Sequence, residues 1–148
     1  MKNKKNDAIN SDVQMNIHQF YIKEINFSSP HMPEAFSFEW KPTVNFNIEV
    51  SYKELSELLF EVVLDHKVNL QLEQKGKLSD VCELNIKQGG VFSVKGKMDE
   101  AMKNQLLLIQ APTVLYPHII EMVSSLLNRA GFPQVVLPLV SFEPSEKE

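Results

Sequence analysis

The sequence predicts an α+β domain, a four-stranded antiparallel Greek-key sheet packed on helices. Three observations carry that expectation. Thr43 to Tyr52 and Leu58 to Glu73 alternate apolar and polar side chains with the period of two that a half-buried antiparallel strand requires. A loop too long and proline-rich to be a hairpin separates an earlier strand-like run from them, so the first strand must cross over. Between Ala111 and Pro133 the apolar residues recur at spacings of three and four, the period of a helix.

In chain order, residues 1–15 are polar and read as a tail preceding a domain of residues 16–142. Ile17 to Phe27 is rich in β-branched and aromatic residues and reads as a strand apolar on both faces, a pattern of double coverage. Ser28 to Pro42 follows, with Pro30, Pro33 and Pro42 opposing regular structure. It carries Met32, Phe36, Phe38 and Trp40, which either pin the loop to the core or form an apolar binding surface.

In the next strand Val44, Phe46, Ile48 and Val50 share one face. In the longest alternating run Leu58, Phe60, Val62, Leu64, Val68, Leu70 and Leu72 share a parity that only His66 interrupts. Gln74 to Lys77 is a hairpin turn, and Leu78 to Lys95 returns as the fourth strand. Gly89-Gly90 within it marks a bulge or a close backbone approach.

Met98 to Gln110 reads as a helix with Asp99 and Glu100 in its first turn. Ala111-Pro112 is expected to break it, and a second helix then runs toward Gly131 and Pro133. Tyr116, Ile119, Ile120, Val123, Leu126 and Leu127 lie on its apolar arc, widened by Leu115 and Met122. That arc is either an ordinary core face or one buried twice, against its own sheet and another subunit. Pro138 keeps the apolar run after Pro133 from being a central strand, and residues 143–148 read as a polar tail.

Composition narrows the function. The chain has 148 residues, 43% hydrophobic and 23% charged, with net charge −4, which speaks against a nucleic-acid partner. Cys82 is the single cysteine, so no intrachain disulfide and no multi-cysteine zinc site can form. No secretory signal and no run of about 18 consecutive apolar residues is evident, so a cytoplasmic protein that does not insert in membranes is expected.

Chemistry-bearing motifs are sparse. No glycine-rich phosphate loop occurs, and no cofactor is implied. His18, His31, His66 and His118 are scattered without metal-ligand spacing. His66 on an apolar strand face reads as a hydrogen-bonded core or groove histidine, and Cys82 as a packed side chain. His31 with Glu34 and Glu39 could form an acid–base set but lacks a nucleophile, so no enzyme is expected. What remains is more apolar surface than one small domain hides, which points to oligomerisation, ligand binding or both.

The strings FYIKEINFSSP, FEWKP, EVVL, QGGVFSV and LYPHIIEMVSSLLNRAGFPQVVLPLVSF, in that order, resemble the SecB family of bacterial protein-export chaperones from about Ile17 to Phe142. The resemblance implies a SecB-like fold and a homotetramer, a dimer of dimers with its helices in the middle layer. It implies an ATP-independent holdase that keeps precursor proteins unfolded in the cytosol and hands them to the SecA motor. Family groove positions fall on Trp40, Val44, Phe46 and Ile48, to which the pattern adds Phe36, Phe38 and Phe60. The alternative for Phe36 and Phe60 is core filling. The SecA contact maps to Glu24 and, on strand four, to Asn85 or Glu83; Ser28 stands where relatives often carry another acid. The helix arc from Tyr116 to Leu127 becomes the oligomer interface. Family members commonly continue into a final helix beyond the equivalent of Phe142, whereas this sequence ends at Glu148, so a shallower groove and a weaker SecA hand-off are expected. The alternatives are a general or toxin–antitoxin-associated SecB-like holdase, or a module binding a small apolar ligand.

Overall fold

The computed structural model describes residues 13–138 and 140–142. Strand β1 spans Gln14–Ser28, β2 Thr43–Ser56, β3 Leu59–Gln74 and β4 Lys77–Lys95. They form one antiparallel sheet in the order β1-β4-β3-β2. Strands β2 to β4 make a meander, and the crossover brings β1 back beside β4, the expected Greek key. Gln14 and Met15, expected in the tail, already belong to β1, and the rest of that tail except Val13 lies outside the described residues, as does 143–148.

Alternation decides which face of the sheet is covered. On β3 the residues Phe60, Val62, Leu64, His66, Val68, Leu70 and Leu72 are all buried. In register with them stand Tyr52, Val50, Ile48, Phe46 and Val44 of β2, and Phe92, Gly90, Gln88, Ile86, Leu84 and Cys82 of β4. This inner face carries the core. The opposite parity, from Glu61 through Asp65, Lys67, Asn69 and Gln71, forms a polar outer face. The turn between β3 and β4 places Lys75 and Gly76 at φ 54° and 78°, the paired left-handed geometry of a type I′ hairpin.

The inner face is covered by one continuous helix, α1, Glu100–Arg129. The expected break at Ala111-Pro112 is absent. Leu106–Gln110 forms a single π turn in which the Ala111 N–H reaches the Leu106 carbonyl, five residues back. The wider turn accommodates Pro112, which has no N–H and whose ring would crowd an α-helical carbonyl. The Thr113 hydroxyl donates to the Ile109 carbonyl at 2.6 Å. Asp99 caps the start, accepting from the Met102 N–H at 2.8 Å. At the other end Gly131 (φ 93°) sits past the last turn, its N–H bonds the Asn128 carbonyl, and the Phe132 N–H bonds Leu127. This is a Schellman stop, with Phe132 and Leu127 both buried.

By length and composition α1 could cross a membrane, with mean hydropathy 1.4 over its most apolar window, of which 44% is buried inside the chain. Its apolar face packs on the sheet, as in a core helix. Tyr116, Ile119, Val123 and Leu127 are buried within this single chain, whereas Ile120 and Leu126 are half-buried. The broad arc is therefore mostly filled by the chain's own sheet. The sheet is thus one of the two partners expected for this arc, and Ile120 and Leu126 are the arc residues it leaves partly uncovered.

Gly89 and Gly90 lie in unbulged register with Tyr21 and Phe20 of β1. The irregularities of that pairing fall instead at His18 and Lys23. A Cβ on Gly89 would strike the Tyr21 ring on the outer face. One on Gly90 would lie 2.8 Å from the Phe92 ring and 3.0 Å from a Leu115 methyl on the inner face. The glycines thus serve close approaches on opposite faces.

Candidate functional site

The edge strand β2 carries the expected apolar stripe, and the structure keeps it incompletely covered. Val44, Ile48, Val50 and Tyr52 are half-buried, and Phe46 is 41% exposed. α1 packs on the two central strands and meets β2 at its π turn and through the Tyr52–Asn104 hydrogen bond, so the inner face of the edge strand stays partly open.

The crossover loop closes one end of this stripe. Glu34–Ser37 forms a 3-10 turn despite the flanking prolines, with Ala35 buried beneath it. Trp40 stacks on Phe132 at 5.9 Å between ring centroids. Phe36 approaches Gly131, where a Cβ would lie 2.9 Å from its ring, yet remains 61% exposed. Phe38 is half-buried against the core. The loop is therefore pinned through Trp40, while Phe36 leaves apolar surface exposed. Phe60 is different. It is 5% exposed, meets Tyr52 edge-on at 6.0 Å and carries Lys103 Nζ 5.6 Å above its ring. It fills the core and does not line an open groove.

The segment after α1 completes the other wall. The Tyr116 hydroxyl donates to the Pro138 carbonyl at 3.1 Å, and Phe142 meets the Tyr116 ring at 5.8 Å. Val135, Leu137, Val140 and Phe142 pack against the core while Val136 is largely exposed. A separate groove of about 760 Å³ runs between this segment and the outward side of α1, lined by Ile120, Ser124, Asn128, Pro133 and Val135 among others.

Sequence reasoning missed Phe132 as part of this region, whereas His66 was read as a core or groove histidine. The signal for Phe132 was present, an aromatic directly after a helix-ending glycine. His66 is buried between the Phe46 and Tyr116 rings, 6.2 Å and 5.8 Å away. The hydrogen bond expected of it is absent among the described residues. Burial pushes its pKa down to about 4, so it is neutral at pH 7.

On the outer face the three expected partner-contact residues lie along the β1–β4 ladder, Glu24 opposite Lys87 and Glu83 four residues further along β4. Glu24 pairs with Lys87, Asn26 with Asn85, and Ser28 with Glu83, all on adjoining positions of β1 and β4. Asn85 and Glu83 share a face, so both alignments point to the same patch, which borders a shallow hollow of about 550 Å³. Glu24 accepts from Asn26 Nδ2 at 2.6 Å and lies 3.9 Å from Lys87 Nζ.

His31, Glu34 and Glu39 are exposed, and Glu39 pairs with Lys41 at 3.3 Å. Among the described residues no three His, Cys, Asp or Glu side chains are grouped to hold a metal. Burial, with Glu83 nearby, pushes the Cys82 thiol up to about 11, which leaves it unreactive at neutral pH.

Comparison with known proteins agrees with this architecture. Residues 8–144 match the family described as preprotein translocase subunit SecB. The chain is 39% identical over 129 residues to the protein-export protein SecB of Actinobacillus succinogenes, covering 87% of this chain and 76% of that one. It is 33% identical over 147 residues to the protein of the same name from Histophilus somni, covering 97% and 84%. Among solved structures it is similar to a SecB-like chaperone of Mycobacterium tuberculosis in complex with a peptide from an antitoxin. The TM-score is 0.67 at 17% identity over 93% of this chain and 96% of that one, a likeness of fold.

Proposed function

The chain belongs to the SecB family and is a protein-export chaperone, and we propose that it acts as an ATP-independent holdase whose client groove is the inner face of β2 with the crossover loop. The observation that carries this reading is the apolar stripe of Trp40, Val44, Phe46 and Ile48 on an edge strand that α1 leaves partly uncovered. Unfolded chains expose many apolar segments, and burying each contributes about 25 cal/mol per Å². A stripe of aliphatic and aromatic side chains binds such segments without requiring one sequence.

The client would be an unfolded precursor, held in the cytoplasm and passed to SecA. The face carrying Glu24, Glu83 and Asn85 is offered for that hand-off, since all three lie on the polar side of the β1–β4 ladder, away from the groove. Lys87 partly neutralises Glu24 there, so the expected attraction for a basic partner is moderated.

The working unit is proposed to be a homotetramer. Two features support assembly. β1 is an edge strand of 15 residues that bears exposed Ile17, Ile22 and Ile25. The outward side of α1 retains half-buried Ile120, Met122 and Leu126 and an exposed Val114. The interface assigned to α1 thus shifts from Tyr116, Ile119, Val123 and Leu127 to these residues. Several grooves on one assembly would add avidity to weak individual contacts.

Native mass spectrometry with and without an unfolded precursor tests the reading. A mass near four times 17.0 kDa that increases with the precursor is expected. A monomer indifferent to unfolded protein, carrying a small apolar molecule instead, would contradict it. Retention on immobilised SecA tests the hand-off separately; without it the role reduces to general holding.

A further inference from the structure

The proposed groove has a polar group in its floor. His66 is 1% exposed on the inner face of β3, and neither ring nitrogen has a hydrogen-bond partner among the described residues. Its neighbours across the sheet are Ile48 on β2 and Ile86 on β4. Leucine or valine would fill such a place without leaving a donor and an acceptor unmet, and unmet buried polar groups are destabilising. Packing therefore gives no reason for histidine here. A neutral imidazole offers one N–H donor and one acceptor nitrogen. That set complements a hydroxyl or a carboxamide. Phe46 meets the imidazole edge-on from the edge strand and is itself 41% exposed, so a segment that displaces Phe46 reaches the imidazole next.

We infer that His66 is a specificity-determining residue of the client groove, hydrogen-bonding a Ser, Thr, Asn or Gln side chain of the bound segment. The groove then tolerates a hydroxyl or carboxamide among apolar side chains, where a wholly apolar floor would reject it. This rests on the groove reading given above.

The test uses two peptides identical except for a central Val or Thr, which are nearly isosteric. With the unaltered chain the two dissociation constants are expected within about threefold of each other. With His66→Leu the Thr peptide is expected to weaken by about tenfold or more relative to the Val peptide, the discrimination of which an apolar site is capable. His66→Asn, which keeps a donor and an acceptor, restores the original ratio. An identical Thr-to-Val ratio in the unaltered and His66→Leu chains overturns the inference. If His66→Leu does not fold, the imidazole ¹⁵N resonances of the unaltered chain decide. They should move with the Thr peptide and not with the Val peptide, and an equal response to both overturns the inference. Phe46→Asp separates the two levels: if it abolishes binding of both peptides while His66→Leu leaves the Thr-to-Val ratio unchanged, the groove stands and only the role of His66 falls, whereas unaffected binding of both by Phe46→Asp removes the groove and the inference together.

Discussion

The Tyr21 hydroxyl donates to Glu61 Oε2 at 2.5 Å, spanning from β1 over Gly89 of β4 to β3. Glu61 is also held by Lys23 at 3.0 Å and Lys53 at 3.7 Å, so one nearly buried carboxylate ties three strands together. Burial alone would raise its pKa, but the bonds from Tyr21 and Lys23 and the two ammonium charges hold it below the usual carboxylate range. Glu61→Leu is expected to reduce stability by about 2 kcal/mol, since it leaves Tyr21 and Lys23 without their acceptor. The linked pH dependence has a definite sign. A depressed carboxyl pKa stabilises above the unfolded value near 4.5 and ceases to do so as pH falls through the folded value. Urea midpoints of the two chains from pH 7 downward should converge at acid pH.

Gly89 exists for the Tyr21 ring. Gly89→Ala is expected to destabilise by about 1–3 kcal/mol through overpacking. Combining it with Tyr21→Ala should recover part of that loss relative to the sum of the single changes. Thermal melts of the four chains in the cycle check this, and strict additivity would place the strain elsewhere.

His66 produces an acid-sensitive step of its own. Its folded pKa near 4 lies below the ordinary 6.5, so the unfolded chain binds the extra proton between those values. Stability should be full above pH 6.5 and fall by up to about 3 kcal/mol toward pH 4. His66→Leu is expected to flatten that window and to stabilise the chain most at about pH 4 and below.

The two sides of α1 should respond differently to charge. Leu127 is buried in the single chain, so Leu127→Asp is expected to unfold it. Ile120 is half-buried on the outward side, where Ile120→Asp should dissociate the assembly with the sheet intact. Sedimentation velocity with far-ultraviolet circular dichroism distinguishes these outcomes.

Much of this fold was legible because one residue in two is enough to orient a strand. The alternation from Val44 to Leu72 placed β2 and β3 within a residue or a few of their observed limits and assigned their inner face. The helix was read less well. Pro112 signals a stop in any local scheme, and only the wider turn at Leu106–Gln110 shows how the helix passes it. Periodicity also located the apolar arc of α1 without dividing it between partners, and the sheet takes Tyr116, Ile119, Val123 and Leu127 while Ile120 and Leu126 stay partly uncovered. The aromatic loop left two readings open because a side chain such as Trp40 can be anchored on Phe132 and still border a groove. Phe60 shares the parity of the stripe, and only the position of α1 over it, marked by Lys103, removes it from the site.

The central claim is that the uncovered inner face of β2 holds unfolded protein. Its most direct measurement is light scattering from a chemically unfolded precursor diluted without ATP into the unaltered chain or into Phe46→Asp. Phe46 is 41% exposed, so the substitution should leave the fold intact. The account expects the unaltered chain to suppress aggregation and Phe46→Asp to lose most of that effect at equal concentration and unchanged melting temperature. Equal suppression by both would contradict it.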